Sequence, residues 1–136
     1  MVVKLLLVFL ALLLASFVWV RLAPSDVSKW HYVIENPQNN RFQAGLVEVL
    51  PNKADSFSEL YKIAVNADRT VLLAGSIDEG MATFITRSKL WGFPDYTTIW
   101  INGDALAIHA RARFGKSDIG VNAARVSKWL ATLSDS

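Results

Sequence analysis

The sixteen residues from Leu5 to Val20 contain a single polar side chain, Ser16. A helix that is apolar on every side cannot form one face of a domain folded in water, so this stretch is set apart from whatever follows it. Taken as helix, Val2 to Ala23 reaches about 33 Å at 1.5 Å per residue, enough to cross a hydrocarbon core of about 30 Å. The segment reads as a membrane span. A cleaved secretory signal has the same outline, with Lys4 as its short basic region. The small-x-small cleavage pattern is missing, however: Arg21 stands before Leu22-Ala23, and Pro24 would be the first mature residue. We therefore read residues 1–23 as an uncleaved anchor. Trp19, near its far end, suits the depth of the lipid headgroups.

Positive charge flanks the span on both sides, Lys4 before it and Arg21 and Lys29 after it, so the count of charges leaves the orientation open. A single anchor with a short basic lead normally leaves the following domain outside the cytoplasm. The expectation is an inner-membrane, single-pass protein with its soluble domain on the periplasmic side. The 113 residues after Ala23 are the size of one domain. They carry 12 basic and 12 acidic groups, so the pI of about 9.0 owes its excess to Lys4 and Arg21. Nucleic acid is not an expected partner. The charge is uneven along the domain, with five basic and eight acidic residues over 24–79 against seven and four over 80–136. The absence of cysteine removes disulfides, thiolate metal sites and cysteine nucleophiles together. His31 and His109 are the only histidines, and no acidic pair stands at a ligand spacing from either. No metal and no cofactor is expected.

Residues 24–40, rich in Pro and Asn, read as a tether interrupted by Trp30, Tyr32 and Val33, with a single domain over 41–136. Those apolar residues are expected to rest against the domain or on the bilayer surface. Ala44 to Leu50 is a predicted strand. Ser56 to Ala67 is a predicted helix, with Phe57, Leu60, Tyr61, Ala64 and Val65 at spacings of three and four and Asp55 as its cap. Arg69–Ser76 and Met81–Arg87 flank the loop 77–80 as a hairpin. In a second hairpin, Tyr96–Ile101 and Asp104–Phe114 enclose Asn102-Gly103, a dipeptide that favours a tight turn. With those two as the turn residues, Ile99 lies opposite Leu106 and Tyr96 opposite His109. Thr97, Ile99, Leu106, Ile108, Ala110 and Ala112 then share a core face, and Tyr96, His109, Arg111 and Arg113 share the other, wet face. Asp118 to Leu133 is a helix capped by Ser117, with Ile119, Val126, Leu130 and Leu133 as its apolar stripe and Asn122, Arg125 and Lys128 turned away. The expected fold is α+β: a two-layer sandwich with an antiparallel sheet of about five strands and two helices on one face, preceded by one transmembrane helix.

The run ARARFGKS at 110–117 fits a loose phosphate-binding loop. That loop works because a glycine-rich turn after a parallel strand aims N–H groups at phosphates. Here Ala110 stands in place of the first glycine, the run alternates as a strand, and 19 residues remain after Ser117. Nucleotide binding is not expected.

Residues 82–87 (ATFITR), 90–95 (LWGFPD) and 111–122 (RARFGKSDIGVN), followed by Arg125 and Trp129-Leu130, resemble an uncharacterised bacterial family, domain of unknown function 1499 (DUF1499). That family has an arginine and a Phe-Pro-Asp type turn between strands, then an arginine-rich strand, Gly-x-Ser-Asp-Leu-Gly-x-Asn and a closing helix. Gly115, Ser117, Asp118, Gly120 and Asn122 match that run, with Ile119 in the leucine position. The resemblance covers about residues 37–133. Many relatives carry Pro-Asn-Cys near the start, where this chain has Pro37-Gln38-Asn39-Asn40, so no role rests on a thiol here. The resemblance implies an envelope-located domain and supplies no activity.

Two functions are expected. The first is binding of an anionic small molecule or lipid headgroup by Tyr96, His109, Arg111 and Arg113, because forked guanidinium donors suit phosphate and carboxylate. The second is a non-catalytic adapter contacting another envelope protein. If instead this face is buried against acidic residues of the first half, such as Glu48, Asp55 or Glu59, the arginines serve the fold. Catalysis ranks third, since a capping Ser117 would have its oxygen engaged by backbone N–H groups rather than poised beside His109.

Overall fold

The structure is a computed structural model and describes residues 1–135. Its first element, α1 (Val2–Leu22), is the apolar run: its most apolar window has a mean hydropathy of 2.6, and none of that window is buried. By length and composition α1 can cross a membrane. A single turn of helix, α2 (Val27–Trp30), follows, begun by Asp26, whose carboxylate accepts from the Ser28 N–H and hydroxyl.

Six strands form one antiparallel sheet: β1 (Asn40–Phe42), β2 (Gly45–Pro51), β3 (Thr70–Ser76), β4 (Met81–Arg87), β5 (Pro94–Asn102) and β6 (Ala105–Ala112), in the order β1-β2-β6-β5-β4-β3. The α+β class, the antiparallel sheet and the apolar N-terminal helix are as the sequence predicts. The sheet has one strand more than expected. Three residues with no apolar alternation, Asn40, Arg41 and Phe42, pair with Val47, Leu46 and Gly45 at the edge. The first hairpin closes between Ser76 and Met81 as predicted, with a bulge between Leu72 and Ala74.

In the second hairpin Asn102 pairs with Ala105, so Gly103 and Asp104 make the turn. Gly103 has φ +60° and Asp104 stays negative, the sign pattern of a type II′ turn, which needs its glycine first. The pairing therefore shifts by two from the expected one: Ile99 faces Ile108, and Tyr96 faces Arg111 instead of His109. Because side chains alternate with period two, a shift of two leaves every residue on its predicted face.

Two helices, α3 (Ser56–Val65) and α4 (Val121–Ser134), pack on each other and on the core face. Leu46, Ala82, Phe84, Ile99, Leu106, Ile108 and Ala110 meet Phe57, Leu60, Ala64, Val126 and Trp129 there. The helix starts differ from expectation. Asp55 has φ +64° and makes no cap bond with its side chain; an N-cap needs an extended backbone to bring its oxygen over the first turn. At α4 the cap is supplied by Asp118, whose carboxylate accepts from the N–H groups of Gly120 and Asn122, while the Ser117 hydroxyl accepts from Ile119 N–H in the preceding turn. Starting the helix at Val121 rotates its faces. Ile119 lies outside it and is exposed, Asn122 is fully buried, and Arg125 turns inward to Asp95.

Candidate functional site

The second sheet face is covered. Val47, Thr83, Ile85, Tyr96, Thr98, Trp100, Ala107, His109 and Arg111 are buried, although neither α3 nor α4 lies on this side. The cover is the segment just after α1. The Trp30 ring stacks on Tyr96 with centroids 4.0 Å apart, Tyr32 meets His109 edge-on at 5.8 Å, and His31 Nδ1 hydrogen-bonds the Thr83 hydroxyl at 2.9 Å.

The structure brings the four residues expected to bind a ligand together beneath that segment. Arg111 is 6 % exposed, and its guanidinium donates to the Thr98 hydroxyl (2.8 Å), the His109 carbonyl (2.9 Å) and the Trp30 carbonyl. Its central carbon lies 5.0 Å from the Tyr32 ring centroid and 5.7 Å from that of Trp30. Arg113 donates to the Pro24 carbonyl (3.0 Å) and the Tyr96 hydroxyl (3.1 Å), and that hydroxyl shares a hydrogen bond with Ser25 (2.7 Å). The face is thus dry rather than wet. Backbone carbonyls, hydroxyls and ring faces, not Glu48, Asp55 or Glu59, hold the guanidinium groups. Burial without a carboxylate pulls the Arg111 pKa down to about 10, so the group stays charged at neutral pH. Burial, aided by the Arg111 charge, pulls His109 down to about 3 and keeps its ring neutral.

The family-like residues meet in a second network. Asp95, two residues into β5, takes bonds from Arg125 at 3.2 Å and from Asn122 at 3.3 Å. Asn122 also donates to Asp118 at 2.7 Å and accepts from Arg125 at 2.7 Å. Arg125–Asp95 is the single ion pair among the described residues. Burial raises the Asp95 pKa, against the opposing pull of Arg125. This cluster ties the first turns of α4 to the sheet. Its members are engaged with one another; the Ser117 hydroxyl nearby accepts from Ile119 N–H, while His109 is buried on the second sheet face beneath Tyr32.

Beside this network lies an open groove. Two cavities, of about 580 and 420 Å³, share Arg69, Thr70, Arg87, Ser88 and Lys89 in their walls. The larger runs along α4 past Arg125 and Lys128, and the smaller reaches Arg21 and Gly92 at the end of α1. Among the described residues six cations thus line the groove, with Asp68 as the one acidic residue in its walls. Arg69 donates to the Arg87 carbonyl, Arg87 to that of Gly92 and Arg21 to that of Leu90, so carbonyl bonds hold these guanidinium groups in place without neutralising them. Sequence reasoning passed over this set, although two signals were present. The hairpin register brings Arg69 beside Arg87, and Arg125 and Lys128 stand one turn apart on α4.

A family model described as "Protein of unknown function (DUF1499)" matches residues 24–133. Neither a curated protein nor a solved structure matches the chain.

Proposed function

We propose that this chain, which belongs to the family of proteins of unknown function DUF1499, is a membrane-anchored domain that binds an anionic group, phosphate or carboxylate, of a small molecule or lipid headgroup. In this reading α1 is retained as the anchor and the domain stands on the periplasmic side of an inner membrane. The observation that carries the reading is the groove, in which, among the described residues, six cations face one acid and only Arg125 has a carboxylate partner. Guanidinium groups fixed by one carbonyl bond each, with further N–H groups left over, suit multidentate recognition of an oxyanion. The face of Tyr96, His109, Arg111 and Arg113 would receive an anion only after residues 23–32 lifted away from it, whereas the groove is open as it stands.

The test is native mass spectrometry of the full chain in detergent with phosphatidylglycerol, phosphatidylcholine and inorganic phosphate as separate probes. Phosphatidylglycerol or phosphate should bind and phosphatidylcholine should not. Lys89 and Lys128 are exposed groove residues. Lys89→Ala with Lys128→Ala should weaken binding by roughly thirtyfold, at about 1 kcal/mol for each cation near an anionic headgroup, with the melting temperature unchanged. Binding of neither anionic probe would leave the non-catalytic adapter as the better reading.

A further inference from the structure

The sheet has two ends, and they differ in charge and in apolar exposure. At the end near α1 lie the loops 43–44, 66–69, 88–93 and 113–120; at the other lie 52–55, 77–80, 103–104 and the end of α4. The far loops carry Asp55, Asp78, Glu79, Asp104 and Asp135 against Lys53 alone. The near loops carry Arg69, Lys89, Arg113 and Lys116, with Arg21 beside them, against Asp68 and the cap residue Asp118. The near end also shows large apolar side chains to solvent: Leu90 is 73 % exposed, Trp91 53 %, Phe93 40 % and Ile119 93 %.

We propose that this end of the domain, through the 88–93 loop and the turn at Ile119, is seated in the headgroup layer of an anionic bilayer. The inference rests on the reading of α1 as a membrane anchor. The contacts between loop and helix support it. The Trp91 ring meets Phe17 edge-on with centroids 6.0 Å apart, and Arg21 donates to the Leu90 carbonyl. Phe17 lies five residues before Leu22, about 7.5 Å back along the helix at the usual rise. A loop that touches Phe17 therefore reaches the depth of the last turns of the span. Gly92 suits this approach: its φ of +71° favours glycine, and a Cβ there would press on the Arg21 side chain at 3.1 Å. Aromatic rings at the boundary, cations at headgroup level and acids at the far end are the arrangement an anionic membrane surface favours. Ile119, a β-branched residue at φ +53°, sits in a conformation its side chain disfavours and buries nothing in the domain.

Because the chain has no cysteine, Leu90→Cys, Ile119→Cys and, at the far end, Ile77→Cys each give a unique thiol for a polarity-sensitive NBD label. The full chain is placed in phosphatidylglycerol-containing nanodiscs, and each variant is first checked for unchanged melting in detergent. The labels at 90 and 119 should emit blue-shifted and be quenched most by spin labels near the headgroup, while the label at 77 emits as in water. Either near-end variant suffices if the other fails to fold. Water-like emission at 90 and 119 in an incorporated chain would overturn the seating and leave the anchor intact. Failure to incorporate would overturn the anchor and the seating together. A blue shift insensitive to lipid quenchers but lost on dilution would assign the surface to a second copy of the chain.

Discussion

Trp30 lies flat on Tyr96, the ring planes 11° from parallel, and so the residue that begins the exit from α2 closes the second face of the sheet. The stack shields the Arg111 guanidinium, which also bonds the Trp30 carbonyl. Trp30→Ala should destabilise the domain by about 2–4 kcal/mol, below the value for a fully buried ring. Urea denaturation reads the loss, and limited proteolysis should find new cleavage near residues 24–36.

Arg111→Ala should cost about 2–4 kcal/mol, because it removes the charge-assisted bonds that Arg111 donates to the Trp30 carbonyl and the Thr98 hydroxyl and opens a void. Arg113→Ala should cost less, its partners being nearer the surface. High salt should not reproduce either loss, since the partners are carbonyls, hydroxyls and rings rather than exposed charges. An anion-binding role for this face predicts the reverse, near-neutral stability with salt-sensitive ligand binding. Melting curves at low and high salt separate the two.

His109 gives the domain an acid limit. Its folded pKa of about 3 lies below the ordinary value of 6.5, so between those values the unfolded chain takes up a proton that the folded chain refuses. Its contribution to stability is fully present above about pH 6.5 and is lost as pH falls toward 3, by up to about 1.4 kcal/mol per pH unit. Asp95, raised by burial, acts in the opposite sense: the folded state holds its proton longer, so its contribution declines as pH rises above the ordinary carboxylate value. His109→Gln should flatten the stability profile between pH 7 and 4, as measured by urea midpoints. An unchanged slope in that variant would remove His109 as the cause.

At the start of α4 the ranking of substitutions should invert the one the sequence suggests. Asp118→Ala should cost about 1–2 kcal/mol through the lost cap and the lost partner of Asn122. Ser117→Ala should cost under about 0.5 kcal/mol, and Lys116→Ala the same, with no thermal shift from ATP and Mg²⁺. Equal losses at Ser117 and Asp118 would restore the serine as the cap.

What the sequence reveals follows what its side chains determine. The hairpin at 76/81, the assignment of the residues of β5 and β6 to sheet faces and the core of Leu60, Ile99, Leu106, Ile108 and Val126 all rest on apolar period and turn chemistry, and these were legible. The register of the second hairpin was misread by two, because Asn102-Gly103 suits one turn type and Gly103-Asp104 another. That Trp30 and Tyr32 rest against the domain was legible; that they cover the face of Arg111 was not. The key bonds of that cover come from the carbonyls of Ala23, Pro24 and Trp30, groups that every residue carries and no sequence pattern marks. The groove was missed because its cations come from four separated segments, each of which reads alone as a solvated face.

Ala23 is buried, the carbonyls of Ala23 and Pro24 accept from Arg113, and Trp30 is stacked on the sheet. If α1 lies in a bilayer, the sheet has almost no leash. Such a domain cannot swing outward to search the space beyond the membrane for a partner. A partner held in the same membrane must come to it by lateral diffusion, so encounters of that kind are those of a two-dimensional fluid, set by surface density rather than by concentration in solution.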